Sequence, residues 1–179
     1  MIIELESAVI NLEKSVCFIG HRKIEDTPKL RAHLESVILN LIENGAINFI
    51  FGDNSEFDSL CYKTVTKLKE RYPEIKRIKL RKDYEEADDY TMQFLISGFE
   101  GSACPKGIER AGRAAYVERN RAMITESEVC IFYYDENYLP PRRKNSKHDL
   151  TDYQPKSGTA LAYAFAEKNK KRIINVYKL

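Results

Sequence analysis

The sequence predicts an α/β fold in which a parallel sheet is covered by helices on both faces. Short apolar runs typical of buried strands alternate with segments whose apolar residues recur at helical spacing. Glycine directly ends the first two runs, at Gly20 and Gly52, and helix-start signals follow both. The length of 179 residues suits one domain with a single core. We therefore expect residues 1–14 to form an arm or an edge strand and residues 15–179 to form the domain.

The first strand and helix are predicted over residues 15–45. Residues 15–20 (SVCFIG) form a short apolar run, which is consistent with a buried central strand. Asp26, Thr27 and Pro28 provide a cap and a first-turn proline for a helix that ends before Gly45. The inner face of this helix is predicted to carry apolar residues at helical spacing: Leu30, Leu34, Val37, Ile38 and Leu41.

The second and third strands are predicted over residues 47–51 (INFIF) and 75–80. A helix capped by Asn54 or Ser55 lies between them and is stopped by Pro73. Residues 75–80 alternate apolar and basic side chains, which suits a strand with one exposed face at the sheet edge. Residues 87–96 are predicted to be helical and residues 98–107 to be a loop.

The fourth and fifth strands are predicted over residues 129–133 (VCIFY) and 172–177. A helical segment, residues 110–127, precedes the fourth strand. If the first three units wind one way and the fourth strand returns to pair beside the first, about five strands take the order 3-2-1-4-5. Ligands of such sheets bind in the crevice at the carboxyl ends of the strands where the order reverses.

Composition excludes several classes of function. The net charge is only +2, which argues against a general nucleic-acid or membrane binder. No run of about eighteen apolar residues is present, and the N-terminus lacks the pattern of a signal peptide, so we expect a cytoplasmic protein. We predict no metal and no cofactor, because neither the cysteines nor the histidines have metal-ligand spacing. These residues are Cys17, Cys61, Cys104, Cys130, His21, His33 and His148.

A charged loop and a helix start are the main candidate ligand site. Residues 139–156 are longer than most α/β connections and carry five basic side chains: Arg142, Arg143, Lys144, Lys147 and Lys156. Ser157 or Thr159 caps the helix that follows, and Gly158 leaves room for a close backbone approach. The free N–H groups of a helix start and its positive dipole end attract anions. The alternative is a capped helix after a solvated loop.

The ends of the first two strands supply further candidates. Gly20 allows close ligand approach or a tight turn, and Arg22 matches phosphate geometry. His21 is either a ligand contact or a hydrogen-bonded loop residue. After Gly52, the acids Glu56 and Asp58 could bind ribose hydroxyls or favour the helix start.

The helix before the fourth strand carries a polar group of residues. Tyr116, Arg119, Asn120 and Met123 share one side at helical spacing, and Glu118 lies beside them. These side chains either reach the crevice or form a solvated helix face.

Taken together, these motifs resemble the SLOG superfamily, the Rossmann-like group that includes the DNA-processing A protein and the LOG phosphoribohydrolases. The span from Cys17 to Lys178 is most similar to the short stand-alone, YpsA-like bacterial branch. The matching segments are Phe18 to Arg22, Phe51-Gly52 with Glu56 to Asp58, Tyr116 to Asn120, and Lys156 to Thr159. The resemblance implies a Rossmann-like three-layer sandwich, a pocket for nucleotide-type ligands and self-association into a dimer or larger oligomer.

The resemblance also bears on catalysis. LOG enzymes use the arginine of a Glu-Arg-Lys run and the glutamate of a Gly-Gly-x-Gly-Thr-x-x-Glu run to cleave an N-glycosidic bond. Arg119 matches that arginine, with Glu118 before it, but Ala162 stands where the glutamate is expected. An alanine can neither stabilise an oxocarbenium-like centre nor activate water.

Three functions follow from these observations. The first is binding or sensing of a nucleotide or a nucleotide-derived, phosphorylated or ADP-ribose-like molecule. The second is N-glycosidic hydrolysis, with Arg119 and a non-standard acid: Glu56, Asp58 or Glu118. The third is nucleic-acid binding, which the low net charge disfavours.

Overall fold

A six-stranded, wholly parallel sheet forms the centre of the domain in the computed structural model, which describes residues 2–5, 8–11, 14–52, 55–81, 96–140 and 156–177. The strands are β1 (Ile2–Leu5), β2 (Ala8–Asn11), β3 (Ser15–Gly20), β4 (Asn48–Phe51), β5 (Lys76–Leu80), β6 (Gly101–Ala103), β7 (Val129–Tyr133) and β8 (Arg172–Asn175). The helices are α1 (Pro28–Glu43), α2 (Glu56–Lys69), α3 (Ala115–Thr125) and α4 (Gly158–Lys168).

The strand order is β6-β5-β4-β3-β7-β8, which contains the predicted 3-2-1-4-5 arrangement. The chain winds outward from β3 to β6 and then returns to place β7 on the other side of β3. The prediction that β5 lies at the sheet edge is wrong, because β6 pairs with it. The loop predicted over residues 98–107 contains β6 (Gly101–Ala103), a short strand at the edge of the sheet. The predicted helix over residues 87–96 lies almost entirely outside the described residues.

The N-terminal segment forms an antiparallel hairpin of β1 and β2. This hairpin is a separate two-stranded sheet, so it is not an edge strand of the main sheet. Of the two predicted forms for residues 1–14, the arm agrees better with this arrangement.

Helices cover both faces of the sheet, as the Rossmann-like sandwich requires. On one face, α1 and α2 pack against β3 and β4 through residues such as Leu34, Phe57 and Phe49. On the other face, α3 and α4 pack against β3 and β7 through Met123, Ala162 and other small or apolar side chains. Both apolar clusters are built from alternate residues of the same strands, since successive side chains point to opposite faces.

The helix starts follow the sequence signals closely. Thr27 caps α1 by accepting a hydrogen bond from the Leu30 N–H, with Pro28 as the first helical residue. Ser55 caps α2 in the same way. Ser157, rather than the alternative Thr159, caps α4 through the Ala160 N–H.

Helix α3 turns Arg119 and Met123 towards the protein interior. The segment begins with two short 3-10 turns, and its buried residues are Arg119, Met123 and Ile124. The interpretation of Arg119 as part of a solvated face is therefore wrong, because only 4% of it is exposed. Within the described residues, no helix is both long and apolar enough to cross a membrane.

Candidate functional site

The candidate site lies at the carboxyl edge of the sheet, where β3 and β7 end side by side. Gly20 is paired in register with Tyr133, and the strand order reverses between these two strands. Helices α2 and α4 begin shortly after β4 and before β8, on opposite faces of the sheet. Loops after parallel strands all meet at this edge, so residues distant in sequence are brought together here.

Gly20 is required by helix packing. A Cβ at this position would lie 2.4 Å from Cδ1 and 2.7 Å from Cβ of Phe57, which is fully buried at the start of α2. Its φ is not in the left-handed region, so a turn does not explain the glycine. Gly20 thus allows α2 to approach β3 closely.

His21 joins the ends of β3 and β7. Its N–H donates to the Tyr133 carbonyl, and its Nε2 accepts a hydrogen bond from the Asp135 N–H at 3.0 Å. The accepting Nε2 identifies the neutral ring as the tautomer with its proton on Nδ1. Burial lowers the pKa of His21, an effect that hydrogen bonding and charge at Asp135 partly oppose. The hydrogen-bonded loop interpretation of His21 agrees with these contacts.

The start of α2 is hydrogen-bonded to the loop that follows β3 and to its own cap residue. The Glu56 N–H donates to the Arg22 carbonyl, and Glu56 Oε2 accepts from the Ile24 N–H at 3.0 Å. Asp58 is buried in the first turn, with its N–H bonded to Ser55 Oγ at 2.9 Å. The side chain of Arg22 is exposed. The Glu56 carboxylate is therefore already used in holding the loop between β3 and α1.

Gly52 and Arg119 form a second close approach. A Cβ on Gly52 would lie 3.0 Å from Cζ and Nη2 of Arg119 and 3.0 Å from Sδ of Met123. The Arg119 guanidinium is therefore packed over the backbone at the carboxyl end of β4. Its Nη2 donates a hydrogen bond to Asn120 Oδ1 at 3.0 Å, and its Cζ lies 5.5 Å from the ring centre of Tyr116. Because Gly52 has no side chain, the buried guanidinium of Arg119 can reach this edge of the sheet.

Glu118 is engaged elsewhere on the same helix. Its carboxylate accepts a hydrogen bond from Arg121 Nη1 at 2.8 Å. It lines a cavity of about 500 Å³ with Pro105, Lys106 and Phe165, among other residues, and Arg119 is not part of that lining. Glu118 and Arg119, the two predicted catalytic residues, thus do not line this cavity together.

The start of α4 is open at Gly158. Ser157 Oγ caps the helix, and Thr159 is buried, whereas Gly158 and Lys156 are exposed. A Cβ on Gly158 would meet no described atom within 4 Å, and the φ of Gly158 is outside the left-handed region. Neither packing nor backbone geometry in the described part of the chain requires glycine here.

The remaining predicted residues, Arg142 and Arg143, lie outside the described residues. The structure therefore brings together, at or near one edge of the sheet, the two strand-end glycines, His21, Arg119 and the two helix starts.

Sequence reasoning missed a group of side chains that follow β7. Asp135 donates to His21 and accepts from the Asn137 N–H at 2.9 Å, and Tyr138 lies against the His21 ring. Asn175 binds both the N–H and the carbonyl of Tyr134, at 3.1 and 2.9 Å. For Asp135 and Tyr138 the sequence signal is their position shortly after a buried strand, where functional loops are common in such folds, whereas Asn175 is the last residue of β8.

A second cavity lies between α1 and α2. It has a volume of about 600 Å³. Its lining includes acidic and basic side chains: Asp26, Glu35, Glu56, Lys63 and Lys67. Its ion pair between Lys67 and Glu35 is exposed to solvent. Among the residues that the structure describes, no three His, Cys, Asp or Glu side chains are grouped so that they could hold a metal ion.

Comparison of the sequence with models of protein families and with the sequences of curated proteins gave no match.

Proposed function

We propose that this protein binds a nucleotide or nucleotide-derived small molecule at the carboxyl edge of the sheet, in the manner of the SLOG-like proteins that its motifs resemble. The ligand lies over the ends of β3 and β7, with its anionic group at the start of α4. Binding or sensing, rather than turnover, is the proposed role.

The observation that carries this proposal is the exposed glycine at the first position of α4. No atom of the described residues lies within 4 Å of where a side chain at Gly158 would begin, yet the sequence has none. A glycine that the described structure does not need is explained by a ligand that approaches the backbone N–H groups of the helix start. Ser157 occupies the Ala160 N–H, which leaves the earlier N–H groups of the helix for the ligand.

A buried arginine adds positive charge near the same edge of the sheet. Arg119 brings a guanidinium to the end of β4, and the dipole of α4 adds partial positive charge at its start. Guanidinium groups match the geometry of phosphate and carboxylate oxygens. An anionic ligand would thus be attracted both by Arg119 and by the start of α4.

Hydrolysis of the LOG type is a weaker candidate. Ala162 stands at the expected glutamate position and is buried in the apolar cluster with Phe132 and Met123. Two of the three candidate replacement acids are engaged by their own chain: Glu56 with the Ile24 N–H and Glu118 with Arg121. We expect no release of free base from nucleoside monophosphates, and steady release that is lost in Arg119→Ala would contradict this view.

Thermal denaturation with a panel of ribonucleotides tests the proposal. A ligand at a hundred times its Kd adds about 2.7 kcal/mol, which is about 5–10 °C for a domain of this size. We expect Gly158→Ala to keep the stability of the unliganded protein and to lose most of the ligand-induced shift, because its methyl group enters the open space. An unchanged shift in this variant would contradict a ligand at the start of α4.

A matched pair of arginine substitutions controls for charge. Arg119→Lys moves the cation away from Gly52, so we expect a smaller ligand-induced shift. Arg121→Lys is on the same helix, but Arg121 is exposed and paired with Glu118. This control should bind as the wild type does, and equal losses in both variants would point to a nonspecific charge effect.

A further inference from the structure

An aromatic ring is held in place over the end of β3. The ring of Tyr138 lies against His21, with 4.1 Å between ring centroids and a tilt of 33° between the planes. Tyr138 is half-buried. Next to it, Tyr134 stacks on Tyr163 of α4 at 4.5 Å. The edge that receives the proposed anionic group is thus also lined with aromatic surface.

Asp135 fixes the turn that carries Tyr138. Its N–H donates to His21 Nε2 at 3.0 Å, and its carbonyl accepts the Tyr138 N–H at 3.2 Å. Its carboxylate accepts the Asn137 N–H at 2.9 Å. The turn that carries Tyr138 is therefore held by three hydrogen bonds within the protein.

We propose that Tyr138 is the stacking surface for the base of the bound nucleotide, an inference that rests on the proposed function. One side of the ring is supported by His21, which leaves the exposed part for a planar ligand. Every nucleobase has an aromatic face, so a preformed tyrosine surface favours nucleoside phosphates over sugar phosphates without a base. The ligand then spans the edge from Tyr138 to the start of α4.

Isothermal titration with two probes tests this assignment. The probes are adenosine 5′-monophosphate and ribose 5-phosphate, which share the phosphate and sugar and differ by the base. We expect the wild type to bind the nucleotide more tightly. In Tyr138→Leu the nucleotide affinity should fall about tenfold, as loss of one base–aromatic stack predicts, while ribose 5-phosphate binding is unchanged. Tyr138→Phe should keep the wild-type preference.

Controls separate the possible results. Tyr72→Leu removes another half-buried tyrosine, just before β5 at the opposite edge of the sheet, and should leave both affinities unchanged. Equal binding of both probes by the wild type, with no effect of Tyr138→Leu, would overturn the stacking inference and leave the proposed function intact. Absence of binding by either probe, extended to the other three ribonucleoside monophosphates, would overturn both.

Discussion

Gly20→Ala is expected to lower the free energy of unfolding by about 3 kcal/mol, at the upper end of the range for overpacked cores. The new Cβ would lie 2.7 Å from the Cβ of Phe57, so rotating the phenyl ring cannot relieve the contact. The start of α2 must instead move away from β3. Phe57 is also 5.7 Å from the ring of Tyr133, which resists that movement. Urea denaturation monitored by circular dichroism measures the effect.

Gly158→Ala is the matched control for this substitution. It makes the same chemical change in a position where no described atom lies within 4 Å, so its stability should equal or slightly exceed that of the wild type. If Gly20→Ala were as stable as Gly158→Ala, the close approach of α2 to β3 would be refuted. The comparison also separates a glycine used for packing from one proposed to admit a ligand.

Arg77→Met is expected to destabilise the domain by about 2–3 kcal/mol, somewhat less than a fully buried ion pair loses. Arg77 binds Glu100 through Nη2 at 2.7 Å and Nε at 3.2 Å, and its Nη1 binds Thr66 Oγ1 at 2.9 Å. These contacts connect β5 to α2 and to the segment before β6. The side chains are 12% and 29% exposed, so removal of Arg77 leaves a largely buried carboxylate.

The effect of Arg77→Met should depend on pH. Burial alone would raise the pKa of Glu100, but hydrogen bonds and charge from Arg77, with the charge of Lys69, lower it below the ordinary 4.5. A lowered pKa in the folded state gives stability that is complete above the ordinary value and is lost as pH falls through the folded value. The difference between wild type and Arg77→Met should therefore be largest near neutral pH and shrink in acid.

The exposed pair of Arg31 and Asp26 provides the control. Its side chains are 61% and 40% exposed, so Arg31→Met should lower the free energy of unfolding at neutral pH far less than Arg77→Met does. Equal costs for Arg31→Met and Arg77→Met, or an Arg77→Met cost that grows in acid, would contradict this account of the Glu100 network.

Most of the sheet could be predicted because its strands are apolar runs that are bounded by residues typical of strand ends and turns. β3, β4 and β7 are buried on both faces and end in or next to glycine or tyrosine. Their predicted order rests on the condition that the first three units wind one way and that the fourth strand returns to pair beside the first. β6 is only Gly-Ser-Ala, a sequence with no strand pattern, and it exists because the edge of β5 is available for pairing. Its presence could not be read from local composition.

The candidate site was predicted less completely, because its contacts are nonlocal. Strand ends and helix caps identified Gly20, Gly52 and Ser157 as residues of this edge. The burial of Arg119 depends on Gly52, which directly follows β4 and has no side chain. Helical spacing within α3 cannot reveal this dependence. The positions of Asp135, Tyr138 and Asn175 depend likewise on partners across the sheet, such as His21.

The most direct test of the central claim is the location of a bound nucleotide. We would titrate ¹⁵N-labelled protein with adenosine 5′-monophosphate and follow the backbone amide resonances. The account predicts saturable shifts at His21, at Tyr134 to Tyr138 and at Gly158, which surround the carboxyl edge of the sheet. Shifts confined to the cavity between α1 and α2, at Lys63 and Lys67, or no shifts with any ribonucleotide, would contradict it.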